Sequence, residues 1–195
     1  MAKAKTATAG ARFFVGFGFH QDSELYRFYR EVNQDLRERY GIPELARTHA
    51  PHLTVFPPPH PPRAGCVEEA AERLLSVGSR LPPVTVKVNG WGWFGSEASE
   101  FSNLHLKIGE SRDFQSVFRR LVRAMDGLLV PNEPYHPHVS FARWLSSADR
   151  IRVSRYIGSR EPSIPFTHLV LDELALFAKH NRGYRMHTRV QLPRS

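Results

Sequence analysis

Two short stretches of this chain, His52-Leu53-Thr54-Val55 and His138-Val139-Ser140-Phe141, carry one pattern: histidine, apolar, hydroxyl, apolar. A β-strand places alternate side chains on opposite faces. His52 and Thr54 then share one face, and Leu53 and Val55 take the other. His138 with Ser140, and Val139 with Phe141, repeat the arrangement. Such strands must pack their apolar face on a core and leave the other face for chemistry. Two imidazoles and two hydroxyls suffice for acid–base work on a phosphodiester.

The order of elements around the motifs also repeats. Phe13 to Phe19 reads as an opening strand. Asp22 or Ser23 caps a helix whose stripe is Leu25, Phe28, Tyr29, Val32, Leu36 and Tyr40, stopped by Gly41 and Pro43. The His52 strand runs into a proline-rich loop, which cannot join a ladder. A helix over Val67 to Val77 follows, then a strand from Val84 through Trp93 and a returning strand at Leu104, Leu106 and Ile108. The second half brings a helix at Phe114 to Met125, a proline-rich loop, the His138 strand and a helix capped by Ser146 or Ser147. A long strand spans His168 to Phe177, with a bulge expected near Asp172-Glu173, and a last strand spans Tyr184 to Leu192. We expect one bilobal domain over residues 1–195, an internal duplication of roughly 20–110 and 111–192, and a flexible arm at 1–11.

Of the 195 residues, 41% are hydrophobic and 24% charged, so a core forms without disulfides or metals. The lone Cys66 points to a reducing compartment, the cytoplasm. No apolar run is long enough for a membrane span. The net charge of +8, rich in arginine, suits a phosphate-bearing partner.

Paired H-x-[ST]-x motifs in a basic chain of this size resemble the two-histidine (2H) phosphoesterase superfamily. The LigT-like branch, RNA 2′,3′-cyclic phosphodiesterases also called 2′-5′ RNA ligases, looks most similar. The resemblance implies an α+β fold of two pseudo-symmetric lobes, each an antiparallel sheet with two helices outside and the active-site cleft between them. It implies His52 and His138 as the catalytic pair and Thr54, Ser140 and Arg143 as phosphate ligands. Serine stands at Ser140 where threonine is commoner. The first motif runs into Phe56 and three prolines, where LigT-like proteins usually carry an apolar stretch ending near Leu-Gly.

The implied reaction opens a 2′,3′-cyclic phosphate to a 2′-phosphate, with reversible ATP-independent 2′-5′ RNA ligation as a second expected activity. No cofactor and no metal are needed. RNA ends or cyclic nucleotides are the expected partners, and the expected state is a monomer. His52 is taken as general acid and His138 as general base, although the motifs are near-symmetric. Other readings are an RNA- or nucleotide-binding module without turnover, and a cyclic phosphodiesterase acting on a small metabolite such as ADP-ribose cyclic phosphate.

Phe56, sharing the parity of His52, leads Trp93, Phe94, Phe177 and Tyr184 as a base-stacking candidate, though a core place is commoner for each. Lys179, Arg182 and Arg185 form a candidate phosphate-steering patch. His49 and His136 sit beside the motifs but bring no carboxylate or cysteine cluster, so exposed loops are expected for them rather than a metal site. His136-Pro137-His138 only brushes a histidine-triad pattern. His20, His60, His105, His168, His180 and His187 have no motif support.

Overall fold

The computed structural model describes residues 12–43, 45, 49–58, 66–96, 99–131, 134–160, 164–180 and 183–193. The expected arm at 1–11, His60 and Arg182 lie outside them. The described residues form β1 (Phe13–Gly18), α1 (Glu24–Tyr40), β2 (His52–Phe56), α2 (Cys66–Gly78), β3 (Val84–Phe94) and β4 (Ser102–Ile108). They continue with α3 (Arg112–Ala124), β5 (His138–Leu145), α4 (Ser147–Arg160), β6 (His168–Leu171), β7 (Glu173–His180) and β8 (Gly183–Gln191). Ser23 caps α1 by accepting from the Tyr26 N–H at 3.2 Å, and Gly41 ends it at φ 67°. Ser146, not Ser147, caps α4, accepting from the Asp149 N–H at 3.2 Å.

All strand pairs are antiparallel, in the order β6-β3-β4-β5-β2-β1-β7-β8. The two sheets expected of two lobes are thus the two flanks of one mixed helix-and-strand fold with a single eight-stranded sheet. Each flank draws strands from both ends of the chain. The histidine strands β2 and β5 are neighbours at the centre, paired only through Leu53 and Val139. In a flat sheet β6 and β7 would lie about 29 Å apart, at roughly 4.8 Å per strand. Only Asp172 joins them, a span of at most about 7 Å. The sheet therefore curls to bring its flanks together. This also corrects the expected long strand: the slip at Asp172 is no bulge but the crossing from the partner of β3 to the partner of β1.

One face of the sheet carries the core. Phe13, Val15 and Phe17 of β1 meet Leu53, Val55 and Phe56 of β2, Leu104 and Leu106 of β4, and Val139, Phe141 and Ala142 of β5 in a single buried cluster with the helices. Gly16 makes this packing possible: a Cβ there would lie 2.2 Å from the Leu53 carbonyl oxygen, a backbone atom that cannot step aside. Gly16→Ala is expected to lower stability by about 3 kcal/mol, read by chemical denaturation. An unchanged midpoint would show that the two strands do not approach this closely.

Candidate active site

The register decides which side chains face the chemistry. Gly18 lies opposite His52 and Gly16 opposite Thr54, but the register then slips and Val15 lies opposite Phe56. Val55 and Phe56 thus stand together on the core face, a bulge in β2. β5 repeats the device. Lys107 faces His138 and His105 faces Ser140, then the register slips so that Phe141 and Ala142 both turn to the core. His52, Thr54, His138 and Ser140 share the other face. The bulge also explains Arg143, whose odd number would otherwise place it with the core: after the extra residue, alternation returns it to the face of Ser140. Its Nη2 donates to Ser140 Oγ at 3.4 Å.

The same bulge overturns the reading of Phe56 as a base platform. Its side chain is 0% exposed and part of the core. Pro57, its successor, holds the place that Arg143 takes in the second motif, so the first motif has no matching cation.

The two histidines are held alike. His52 Nδ1 meets the Ala50 carbonyl at 2.8 Å, and His138 Nδ1 meets the His136 carbonyl at 2.7 Å. A carbonyl only accepts, so each Nδ1 carries a hydrogen and each neutral ring keeps its lone pair on Nε2. Equivalent aromatics flank them. Phe177 of β7 lies 5.3 Å from the His52 ring, and Phe94 of β3 lies 4.6 Å from the His138 ring. Phe14 adds a contact of 4.6 Å to His52.

The two rings share an electrostatic environment. Burial, then the Arg143 charge and neighbouring imidazoles, pull the His52 pKa down to about 3, against a supporting bond to Ala50. His138, less deeply set, is lowered by burial, Arg143 and His136, against its own backbone bond. One guanidinium is thus felt by both imidazoles, and His52 feels His138 as well. Arg143 is itself half-buried, which loosens its hold on its proton, and among the described residues no carboxylate pairs with it. A cation so placed beside two hydroxyl-bearing strands suits an anion.

Several neighbours escaped motif reading. His49 is no exposed loop residue: it is half-buried, 6.2 Å from the His52 ring and 5.6 Å from Tyr184, and burial with Arg143 lowers its pKa to about 4. His136 is exposed, as expected, and contributes its carbonyl. His105 is buried opposite Ser140, stacked on Phe94 at 4.1 Å and 5.3 Å from the His138 ring. The alternation Asn103, His105, Lys107 in β4 was the signal for it, but its meaning depends on which strand lies alongside. Among the other aromatic candidates, Trp93 is covered by the Arg150 guanidinium at 4.9 Å, and Phe177 is stacked on Phe14 at 4.7 Å. Of the basic patch, Lys179 shares a cavity wall with Arg143, and Arg185 is exposed. Among the described residues, no group of three or more His, Cys, Asp or Glu side chains is placed to hold a metal ion. No helix among them is long and apolar enough to cross a membrane.

Known proteins with this fold complete the picture. TT0787 of Thermus thermophilus superposes with a TM-score of 0.58 at 19% identity, over 94% of this chain and 99% of that one. LigT of E. coli in its apo form superposes with a TM-score of 0.56 at 21% identity, over 96% and 100%. The same protein complexed with 3′-AMP gives 0.55 at 22%, over 95% and 99%. At these identities the likeness is one of fold. No curated protein matches the sequence. The family model for the 2′-5′ RNA ligase superfamily matches residues 26–183, a span that holds both histidine strands and Arg143. The chain belongs to the 2′-5′ RNA ligase superfamily of two-histidine phosphoesterases.

Proposed function

We propose that the protein hydrolyses 2′,3′-cyclic phosphate ends of RNA or nucleotides to 2′-phosphates, with His52 and His138 as the acid–base pair. The observation that carries this reading is the matched tethering of both rings through Nδ1, under the field of one shared cation. Each leaves Nε2 as the reactive atom. One Nε2 takes a proton from water as its oxygen bonds to phosphorus. The P–O3′ bond breaks, and the departing O3′ takes a proton from the other ring. Arg143, Thr54 and Ser140 donate to the non-bridging oxygens as their charge grows. No step calls for a metal. E. coli LigT, which shares the fold, is seen with 3′-AMP and with phosphate, ligands of this chemistry. With the 5′-hydroxyl of a second RNA end in place of water, the same proton transfers form a P–O5′ bond as the P–O3′ bond breaks, joining the ends 2′-5′ without ATP.

Burial suggests which ring does what. His52 is the more enclosed and the harder to protonate, with a pKa of about 3. It therefore enters the reaction neutral, with its Nε2 lone pair free to receive the water's proton. His138 keeps more contact with solvent, and a bound phosphate anion restores its charge more readily, so it suits the acid. This reverses the assignment expected from the motifs. The buried Cys66 fits action in a reducing cytoplasm.

The test is phosphorus NMR of a 2′,3′-cyclic nucleotide incubated with the protein, with and without EDTA. The cyclic signal is expected to give way to a 2′-monophosphate at equal rates in both. A persistent cyclic signal, or a 3′-phosphate product, would overturn the reading.

A further inference from the structure

Arg143 opens onto a cavity of about 910 Å³ whose wall also holds Arg12, Lys179, Tyr184 and Trp144. A volume of this size, near the upper end for small-ligand sites, has room for more than a phosphate. Its cations outnumber its acids: Asp149 is tied to Arg152 and to Ser146, leaving Arg12, Lys179 and Arg143 facing the space.

Trp144 is the odd residue in this wall. It is 74% exposed, and among the described residues it alone has positive φ without being glycine, at 60°. A bulky side chain avoids that conformation unless its surroundings enforce it. Here the Trp144 N–H donates to Asn103 Oδ1 at 2.9 Å, which locks the turn. The consequence is geometric. Arg143 faces the site, so in extended backbone Trp144 would turn to the opposite face. The left-handed step instead lets two successive residues line one cavity. No other ring lies face to face on the indole among the described residues. Phe101 approaches at 6.0 Å with its plane nearly perpendicular, so no ring stacks there. Tyr184, Tyr40 and His49, the other aromatic rings of the wall, are already packed against Phe14 at 5.0 Å, Tyr156 at 6.0 Å and Tyr184 at 5.6 Å, respectively.

We propose that Trp144 is the platform on which the nucleobase of the substrate stacks, one residue from the guanidinium that receives its phosphate. The proposal deepens the phosphoesterase reading and rests on it for the position of the phosphate. Stacking on an indole tolerates any base, so the residue sets affinity for nucleosides as a class rather than for one letter. Arg12 and Lys179 add charge for a backbone phosphate beyond the first.

Calorimetric titration tests this without turnover, using adenosine 2′-phosphate and inorganic phosphate on the full chain. Trp144→Ala is expected to weaken adenosine 2′-phosphate about 5- to 150-fold, the range for one base–aromatic stack, and to leave inorganic phosphate unchanged. Trp144→Phe restores most of the loss. Equal affinity of wild type and Trp144→Ala for the nucleotide overturns the proposal, and so does parallel loss of both ligands, which marks a collapsed site. If neither ligand binds the wild type, this proposal and the phosphoesterase reading both fall. If the nucleotide effect appears while the cyclic substrate is never hydrolysed, the platform stands and only the hydrolysis reading fails.

Discussion

Replacing His52 or His138 by alanine lowers kcat for a 2′,3′-cyclic nucleotide by about 10²- to 10⁴-fold in each case, the usual worth of a positioned acid or base. The double variant falls little further, because groups that act as a unit do not contribute independently. The two variants part company on a phosphodiester with a nitrophenol leaving group. That group departs without a proton, so the loss of an acid matters little while the loss of a base still matters. With His138 as acid, His138→Ala recovers most of its rate on the aryl substrate and His52→Ala stays slow. The opposite pattern would exchange the two roles, and full turnover of the cyclic nucleotide by either variant would end the paired-histidine mechanism. Steady-state kinetics on the two substrates measure all of this.

The part of this site that was legible in the chain is the part governed by period two. His52 with Thr54, and His138 with Ser140, needed only the alternation of a strand to be placed on one face. The stop of α1 at Gly41 and its cap at Ser23 are local chemistry too, and both sit where their residue types demand. What failed, failed at the bulges. Counting by twos from His52 carries Phe56 to the chemical face, but Val55 and Phe56 take one place against Val15, and the phase inverts. The same inversion rescues Arg143, which counting by twos would have buried. A bulge depends on the neighbouring strand, which for β2 is β1, tens of residues away.

His49 and His105 were beyond local reading for a related reason. Each matters because of what packs beside it, Tyr184 of the last strand for one and His138 for the other. The strand order explains why no linear pattern reports them. β4 reaches the site by lying against β5, and β7 by lying against β1, so both walls are built by pairings distant in the chain. Asp172 shows the same limit from another side. One residue that breaks alternation looks like a bulge in sequence, and only the pairing of β6 with β3 and β7 with β1 shows it to be a crossing.

Acid should destabilise this fold through the site itself. An unfolded chain holds a histidine with a pKa near its ordinary 6.5, whereas burial keeps His52 neutral in the folded state down to about 3. Between those values the unfolded chain binds the extra proton, so stability is fully present above about pH 6.5, declines as pH falls, and stops declining below about 3. At pH 5 the loss from His52 alone is about 2 kcal/mol. His49 and His105, each lowered to about 4, act in the same direction, with His49 contributing less because water reaches it. Acidification also protonates carboxylates elsewhere, so the decisive quantity is a difference. Denaturant titrations of wild type and His52→Gln at pH 7 and pH 5 should show the gap between them moving by about 2 kcal/mol in favour of the variant at the lower pH. Added phosphate should shrink that movement, because an anion between the rings offsets the cost of charging them. A gap that stays constant across the two pH values would mean that His52 is open to water, and a base so exposed would not be the one the enclosed ring is taken to be.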